Sequence, residues 1–390
     1  MNDLPEEFAR FPAHWNVLPF TDAIKDATSG NKKLPKQKYS VEGRYPVVDQ
    51  GQAQFGGYTD EESLLCKSSN PTIVFGDHTR AFKYVTVPFV LGADGAKVLE
   101  PKIENLDKRF LFHYLKQLNI ESAGYSRHFK FLKETFVPVP PLEEQKRIAA
   151  ILDKADAIRQ KRKQAINLAD EFLRSVFLDM FGDPVTNPKG WEERKLITGL
   201  SKVQSGWSAK GESYPCASNE LGVLKVSAVT SGYFKEHENK FVSREIVPEG
   251  KSLLFPKKGD LLFSRANTRE LVAATCIVTR DYDNVFLPDK LWKVEPNEYL
   301  MPEFLHMLIQ QPRFKERLTS QATGSSGSML NISKSKFEQT MSIFPSIEEQ
   351  IKFKDIYWKV MKSLASLETS ETKVGDFFNS LSQKAFSGQL

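Results

Sequence analysis

The chain has 390 residues, enough for two or three domains that each bury a core. Hydrophobic residues at 40% and charged residues at 26% are ordinary for a globular protein, and a net charge of +5 is too mild for a histone-like polycation. No apolar run is long enough to span a bilayer, MNDLPEEFARF lacks a signal-peptide core, and Cys66, Cys216 and Cys276 lie far apart, so the expectation is a cytoplasmic protein without a membrane span, disulfide framework or metal site.

In chain order, residues 1–142 read as a first globule of mixed strands and helices. A polar stretch carries Lys32, Lys33, Lys36 and Lys38. Strand-like runs follow at Tyr45-Pro-Val-Val-Asp, Thr72-Ile-Val-Phe and Tyr84-Val-Thr-Val-Pro-Phe-Val, broken by glycine-rich turns. Gln50, Gln52 and Gln54 lie in one turn, and His78, Thr79 and Arg80 in another. A helix is expected over 109–118, then a basic group of Arg127, His128 and Lys130. Amides and cations of this kind match the hydrogen-bonding edges of adenine and guanine and the charge of phosphates.

Residues 143–182 read as a long helix. Ile148, Ile151, Ala155, Ile158, Ala165, Ala169, Phe172 and Val176 recur in steps of three and four, a heptad seam interrupted by Arg162. Arg159, Lys161, Arg162 and Lys163 form a basic cluster that fits either a solvated face or a DNA backbone. Residues 183–347 read as a second globule. Its strand-like runs are Val223-Leu-Lys-Val, Asp260-Leu-Leu-Phe and Ala274-Thr-Cys-Ile-Val-Thr, with a helix over 303–311. Its candidate DNA contacts are Ser205, Trp207 and Lys210, then Arg265, Asn267, Thr268 and Arg269, with the glycine-serine stretch 324–328 suited to phosphates. Residues 348–390 read as a second long helix, with a seam of Phe353, Ile356, Val360, Ser363, Leu367, Ser370, Val374, Phe377 and Leu381.

These parts form an internal repeat. Pro140-Pro141-Leu142-Glu143-Glu144-Gln145 recurs as Pro345-Ser346-Ile347-Glu348-Glu349-Gln350, 205 residues later, and the same offset carries Phe172 onto Phe377 and Phe181 onto Phe386. Trp15 and Trp191 are 176 apart, so the second globule is 205 − 176 = 29 residues longer. Each helix would span ~57 Å at ~1.5 Å per residue. The short joint 183–190 cannot return the chain along such a length, so the helices are expected to pair antiparallel as a coiled coil, with a pseudo-two-fold relation between the repeats. The expected fold class is α+β: two globules separated by these two helices.

Enzyme signatures are weak. Asn70-Pro71-Thr72 and Asn187-Pro188-Lys189 do not match the methyltransferase motif N/D-P-P-Y/F. No phosphate-binding loop and no H-E-x-x-H occur. Asp77 with His78 reads as a turn at a strand end rather than a nuclease pair, with Gly259-Asp260 as its expected counterpart.

The chain resembles the specificity subunits of Type I restriction-modification systems. The resemblance rests on Val137-Pro-Val-Pro-Pro-Leu-Glu-Glu-Gln-Lys-Arg-Ile and its copy ending at Gln350, on Met180-Phe-Gly-Asp-Pro, and on the ending Ala385-Phe-Ser-Gly-Gln-Leu. Tyr45-Pro-Val-Val-Asp-Gln-Gly and Phe75-Gly-Asp-His-Thr-Arg add to it less specifically. It implies a non-catalytic subunit whose two globules are target recognition domains, each reading half of a split, asymmetric double-stranded DNA site. It also implies two docked methyltransferase subunits, with two restriction-translocase subunits as optional further partners. S-adenosylmethionine, ATP and Mg would then belong to the partners, and this chain would hold no cofactor. The alternatives are a self-contained methyltransferase or nuclease with unfamiliar motifs, and a coiled-coil adaptor that reads no bases.

Overall fold

The computed structural model describes residues 11–389 apart from 94, 122, 123, 125, 321 and 323–328, and gives 365–379 as helical backbone alone. The two compact units are Met1–Lys163 with Thr369–Leu390, and Gln164–Glu368. Both unit boundaries fall inside long helices, rather than at the globule-helix junctions expected at 142, 182 and 347.

The first long helix is Leu142–Phe181. It contains neither proline nor glycine, Pro140-Pro141 stiffens its entry, and Glu143 and Glu144 complement its positive end. Gly182, at φ +75°, stops it in the left-handed conformation that favours glycine. The second long helix, Ile347–Phe386, repeats the arrangement with Glu348 and Glu349 in its first turn.

The two sheet-rich units share a topology. In the first, Asn16–Pro19 pairs antiparallel with Phe136–Val139. A four-stranded antiparallel sheet runs Ile24–Asp26, Ala96–Pro101, Thr72–Gly76, Phe82–Val85. A three-stranded sheet runs Gly57–Thr59, Tyr45–Val48, Val90–Leu91, the last pair parallel. In the second unit Glu192–Lys195 pairs with Met341–Phe344. Its four-stranded sheet runs Leu200–Ser205, Leu291–Pro296, Leu261–Ser264, Thr275–Ile277. Its three-stranded sheet runs Asn239–Val242, Leu221–Leu224, Val285–Phe286, again with the last pair parallel. The repeat seen in the sequence corners therefore extends to strand order and direction.

The repeated glutamine has a structural job. Gln145 is fully buried; its Oε1 accepts from Asp107 N at 2.8 Å, and its Nε2 donates to the carbonyls of Asn105 at 2.8 Å and Pro140 at 2.7 Å. Gln350, equally buried, accepts from Met301 N at 2.8 Å and donates to Tyr299 O at 3.0 Å and Pro345 O at 2.9 Å. Asp107 and Met301 are the N-cap residues of the short helices Lys108–Gln117 and Pro302–Gln310. Each glutamine thus latches the proline corner to the globule's own helix. Gln145→Ala or Gln350→Ala would strand three buried backbone groups, a cost of about 2–3 kcal/mol that an unchanged denaturation midpoint would refute.

Each unit's core contains one end of each long helix. In the first, Ile148, Ala149 and Leu152 share a core with Ala385 and Phe386, whose ring lies 5.6 Å from Phe110 and 5.5 Å from Tyr114. In the second, Phe177 lies 5.6 Å and Phe181 5.7 Å from Phe353; Phe177 stacks on Phe304 and Phe181 meets it edge-on. The start of one helix meets the end of the other in both units, so the pairing is antiparallel.

The buried face differs from the expected seam. Ile158 and Phe172 are 47% and 51% exposed, while Leu152, Leu173, Phe177 and Phe181 are buried. Ala155 is buried, and Ile151 and Ile356 are half-buried. Val176 and Val360 pack at the edge of the second core, and Leu381 at the edge of the first. The side chains of Leu367 and Phe377 lie outside the described residues. The physical reason is drift: a straight α-helix has ~3.6 residues per turn, and its buried stripe walks off a strict heptad when its ends pack on globules.

The second core also encloses His306, 4% exposed, with Nδ1 2.9 Å from the Thr275 hydroxyl, which in turn accepts from Gln310 Nε2 at 2.9 Å. Burial pushes its pKa down to about 4. The folded form is therefore neutral where an unfolded histidine, with a pKa of ~6.5, starts to bind a proton. The associated stability is complete above pH ~6.5 and is lost as pH falls toward 4, by up to about 3 kcal/mol. His306→Asn should flatten this slope in pH-dependent unfolding; parallel profiles for the two proteins would sink the assignment.

Candidate nucleic-acid interface

In the first globule the lysine stretch is fixed from beneath. Leu34 is 1% exposed and its N donates to Leu91 O at 2.8 Å. Asn31 braces the same loop by donating to Ala27 O at 2.9 Å and accepting from Lys67 N at 2.8 Å. Lys32, Lys33, Lys36 and Lys38 stand exposed on it, the last two in the single turn Lys36–Lys38. A buried anchor with solvent-facing cations suits phosphate contacts.

A second cluster joins the two turns singled out in the sequence. The Gln50 carbonyl accepts from the Thr79 hydroxyl, and its Oε1 accepts from His78 N at 3.3 Å. Gln52 Nε2 donates to Thr79 O at 3.3 Å. Gly76 permits this closeness, because a Cβ there would lie 2.6 Å from the Gln50 carbonyl oxygen. Arg80 takes a left-handed φ of +60° and its Nη1 donates to Ile120 O at 2.8 Å. The exposed groups that remain here are Gln52 and His78, with Arg127 and Lys130 beyond them. Beneath the cluster Lys83, 3% exposed, lies 3.5 Å from Asp49, and burial lowers its pKa.

His128 is corrected by burial. It is 1% exposed, and its Nδ1 lies 2.9 Å from Asp77 O. Asp77 itself accepts from Phe129 N at 2.7 Å. Both residues fix the start of helix Phe129–Lys133 and cannot reach a groove. This use also accounts for Asp77 without nuclease chemistry.

In the second globule, the Arg265 turn follows strand Leu261–Ser264 as the His78 turn follows Thr72–Gly76. The equivalence extends to backbone bonds: Ile332 N donates to Arg265 O at 2.8 Å as His128 N donates to Asp77 O at 2.9 Å. Arg265, rather than Asp260, therefore occupies the place of Asp77. Asn267 is 9% exposed and its Oδ1 accepts from Thr268 N at 2.9 Å, so it is corrected from base reader to turn former. Thr268 and Arg269 remain exposed.

Asp289, which no sequence motif marked, ties this turn to the Trp207 loop. Its carbonyl accepts from Arg265 Nε at 2.9 Å and from the Ser205 hydroxyl at 3.0 Å, and its carboxylate accepts from the Ser208 hydroxyl. Trp207 stacks on Phe286 with centroids 6.0 Å apart at 14°, and Lys251 lies 5.8 Å from its ring. Lys210 is exposed on the same loop. The stretch 324–328 lies outside the described residues. Among the described residues no three His, Cys, Asp or Glu side chains are placed to hold a metal ion, and no helix is long and apolar enough to cross a membrane.

Residues 14–168 match the family described as Type I restriction modification DNA specificity domain. The chain is 25% identical over 279 residues to the Type I restriction enzyme EcoKI specificity subunit of Escherichia coli strain K12, covering 65% of this chain and 57% of that protein. It is 24% identical over 346 residues to the MjaVIII specificity subunit of Methanocaldococcus jannaschii, covering 81% and 79%. The crystal structure of a Type I restriction-modification S subunit from M. genitalium superposes with a TM-score of 0.61 at 16% identity, covering 99% of this chain and 97% of that one.

Residues 14–168 belong to the Type I restriction modification DNA specificity domain family.

The matched stretch spans 57% of the EcoKI subunit and 28% of the EcoEI subunit of Escherichia coli. The family match ends inside the first long helix. Beyond it, the common strand order and the paired glutamine latches mark residues 183–386 as a second copy of the same unit.

Proposed function

We propose that this chain is the non-catalytic DNA-reading subunit of a Type I restriction-modification complex, and that it recognises a bipartite, asymmetric double-stranded target. The observation that carries the reading is the pair of matched turns. Two units of one topology present polar loops at equivalent places: His78 stands after Thr72–Gly76 as Thr268 and Arg269 stand after Leu261–Ser264, and the exposed lysines follow Ile24–Asp26 as Trp207 and Lys210 follow Leu200–Ser205. A common frame with unlike polar loops suits two readers of unlike half-sites.

The long helices set the gap between half-sites, and the pseudo-two-fold repeat offers similar docking sites to two methyltransferase subunits. Two restriction subunits are optional further partners. S-adenosylmethionine, ATP and Mg act in those partners, in the cytoplasm. Methylation that appears only when a methyltransferase subunit is added supports this reading. Methylation or cleavage by the purified chain with only cofactor or metal would overturn it.

The lysine loop provides a quantitative test. Changing Lys32, Lys33, Lys36 and Lys38 together to alanine should weaken binding of the assembled complex to all sequences alike. It should also lower the slope of log K against log salt by roughly 3–4, if each lysine neutralises one phosphate. An unchanged slope would remove the loop from the interface.

A further inference from the structure

Within the second unit a cavity of about 250 Å³ opens beside the Phe177 core. Its walls include Leu173, Met307 and Met361, and its floor His306 and Tyr357. Arg174 and Lys315 flank it. We propose that this cavity binds a small phosphate monoester of mononucleotide size, with the phosphate between Arg174 and Lys315 and the body of the ligand against Tyr357.

Charge is the first argument. Burial first, and then the neighbouring Arg174, lower the Lys315 pKa against an opposing pull from Glu270, so a half-buried cation and the exposed Arg174 stand close together at the cavity. Among the described residues no carboxylate closes an ion pair with either cation, and Lys315 Nζ donates to a neutral carbonyl, Glu270 O, at 2.7 Å. The carboxylate of Asp170 in the same cavity is engaged by the Tyr233 hydroxyl at 2.6 Å. A dianion placed between the two cations relieves their repulsion and gains charge-assisted hydrogen bonds.

The second argument is a polar group. The Tyr357 side chain is 2% exposed and lines the cavity. A tyrosine hydroxyl at a cavity wall is a ready donor to a ligand. The third is size and texture. At roughly 30 Å³ per water, the space exceeds what a bare phosphate fills, and Met307 and Met361 give a small adaptable apolar contact within a mainly polar lining.

The test is calorimetric titration of the full chain, free of DNA, with AMP, adenosine and inorganic phosphate. AMP should bind saturably, inorganic phosphate more weakly at the same site by competition, and adenosine not detectably. Arg174→Gln and Lys315→Gln should each weaken AMP about tenfold, as expected for loss of one charge-assisted contact. Tyr357→Phe keeps the ring and removes only the hydroxyl, so the protein should unfold at the same temperature while its AMP affinity falls and its phosphate affinity holds. Absence of saturable AMP binding, binding of phosphate alone, or AMP affinity unchanged in both cation variants would overturn the proposal. DNA is absent from the assay, so its failure would leave the DNA-reading role untouched.

Discussion

Phe177→Ala should lower the unfolding free energy by about 4 kcal/mol, and Phe172→Ala by no more than about 0.5. The two residues sit five positions apart on one helix and carry the same side chain. Phe177 is fully buried, with ring neighbours Phe181 at 5.0 Å, Phe304 at 5.5 Å and Phe353 at 5.6 Å. Removing it opens a cavity where both long helices meet the short helix Pro302–Gln310, and the surrounding rings cannot collapse without losing their own contacts. Phe172 is 51% exposed, so its truncation chiefly exchanges one solvated surface for another. Chemical denaturation of both variants separates the possibilities. Equal losses would restore the heptad seam through Phe172 and contradict the burial pattern.

That pair of residues also marks the limit of what the sequence discloses. The helices themselves were legible, because Leu142–Phe181 and Ile347–Phe386 have matched acidic first turns and equal lengths after a repeated corner. Their register was not, since Leu173 and Phe172 are both apolar and a one-residue shift of the stripe fits the pattern nearly as well. The strand centres at Thr72–Gly76 and Leu261–Ser264 were readable from short apolar runs between turns. The parallel pairing of Leu221–Leu224 with Val285–Phe286 was not, because some sixty residues separate the partners and no local turn specifies the match.

The candidate interface follows the same logic. Lys32, Lys33, Lys36 and Lys38 cluster in sequence and stand exposed in space. His128 sits between Arg127 and Phe129 and looks equally basic, yet the Asp77 carbonyl that captures its ring lies 51 residues earlier. No local sequence signal marks Asp289, because its partners Ser205, Ser208 and Arg265 belong to two other segments. Gln145 and Gln350 stood out as a repeat, but their three-bond latch depends on carbonyls about 40 to 50 residues away.

Under the proposed function, exchanging residues 1–142 for the corresponding globule of a specificity subunit should change one half of the DNA target and leave the other half and the gap unaltered. If each globule reads alone, the lost contacts penalise the old half-site by about 1–3 kcal/mol per base pair, enough over three or four pairs to abolish its methylation. The fold adds a condition that the sequence boundary hides. The core of the first unit closes over Phe386, against which Phe110 and Tyr114 pack, and over Ile148 and Leu152. A graft ending at 142 must therefore carry aromatic residues at the positions of Phe110 and Tyr114, and must present Asp107 N to Gln145. A graft that meets this condition should assemble and methylate a new half-site joined to the old one, as read by methylome sequencing of cells that also express the methyltransferase subunit. A change in both half-sites would contradict independent reading. A change in the gap would instead place the ruler in the globules rather than in the two long helices.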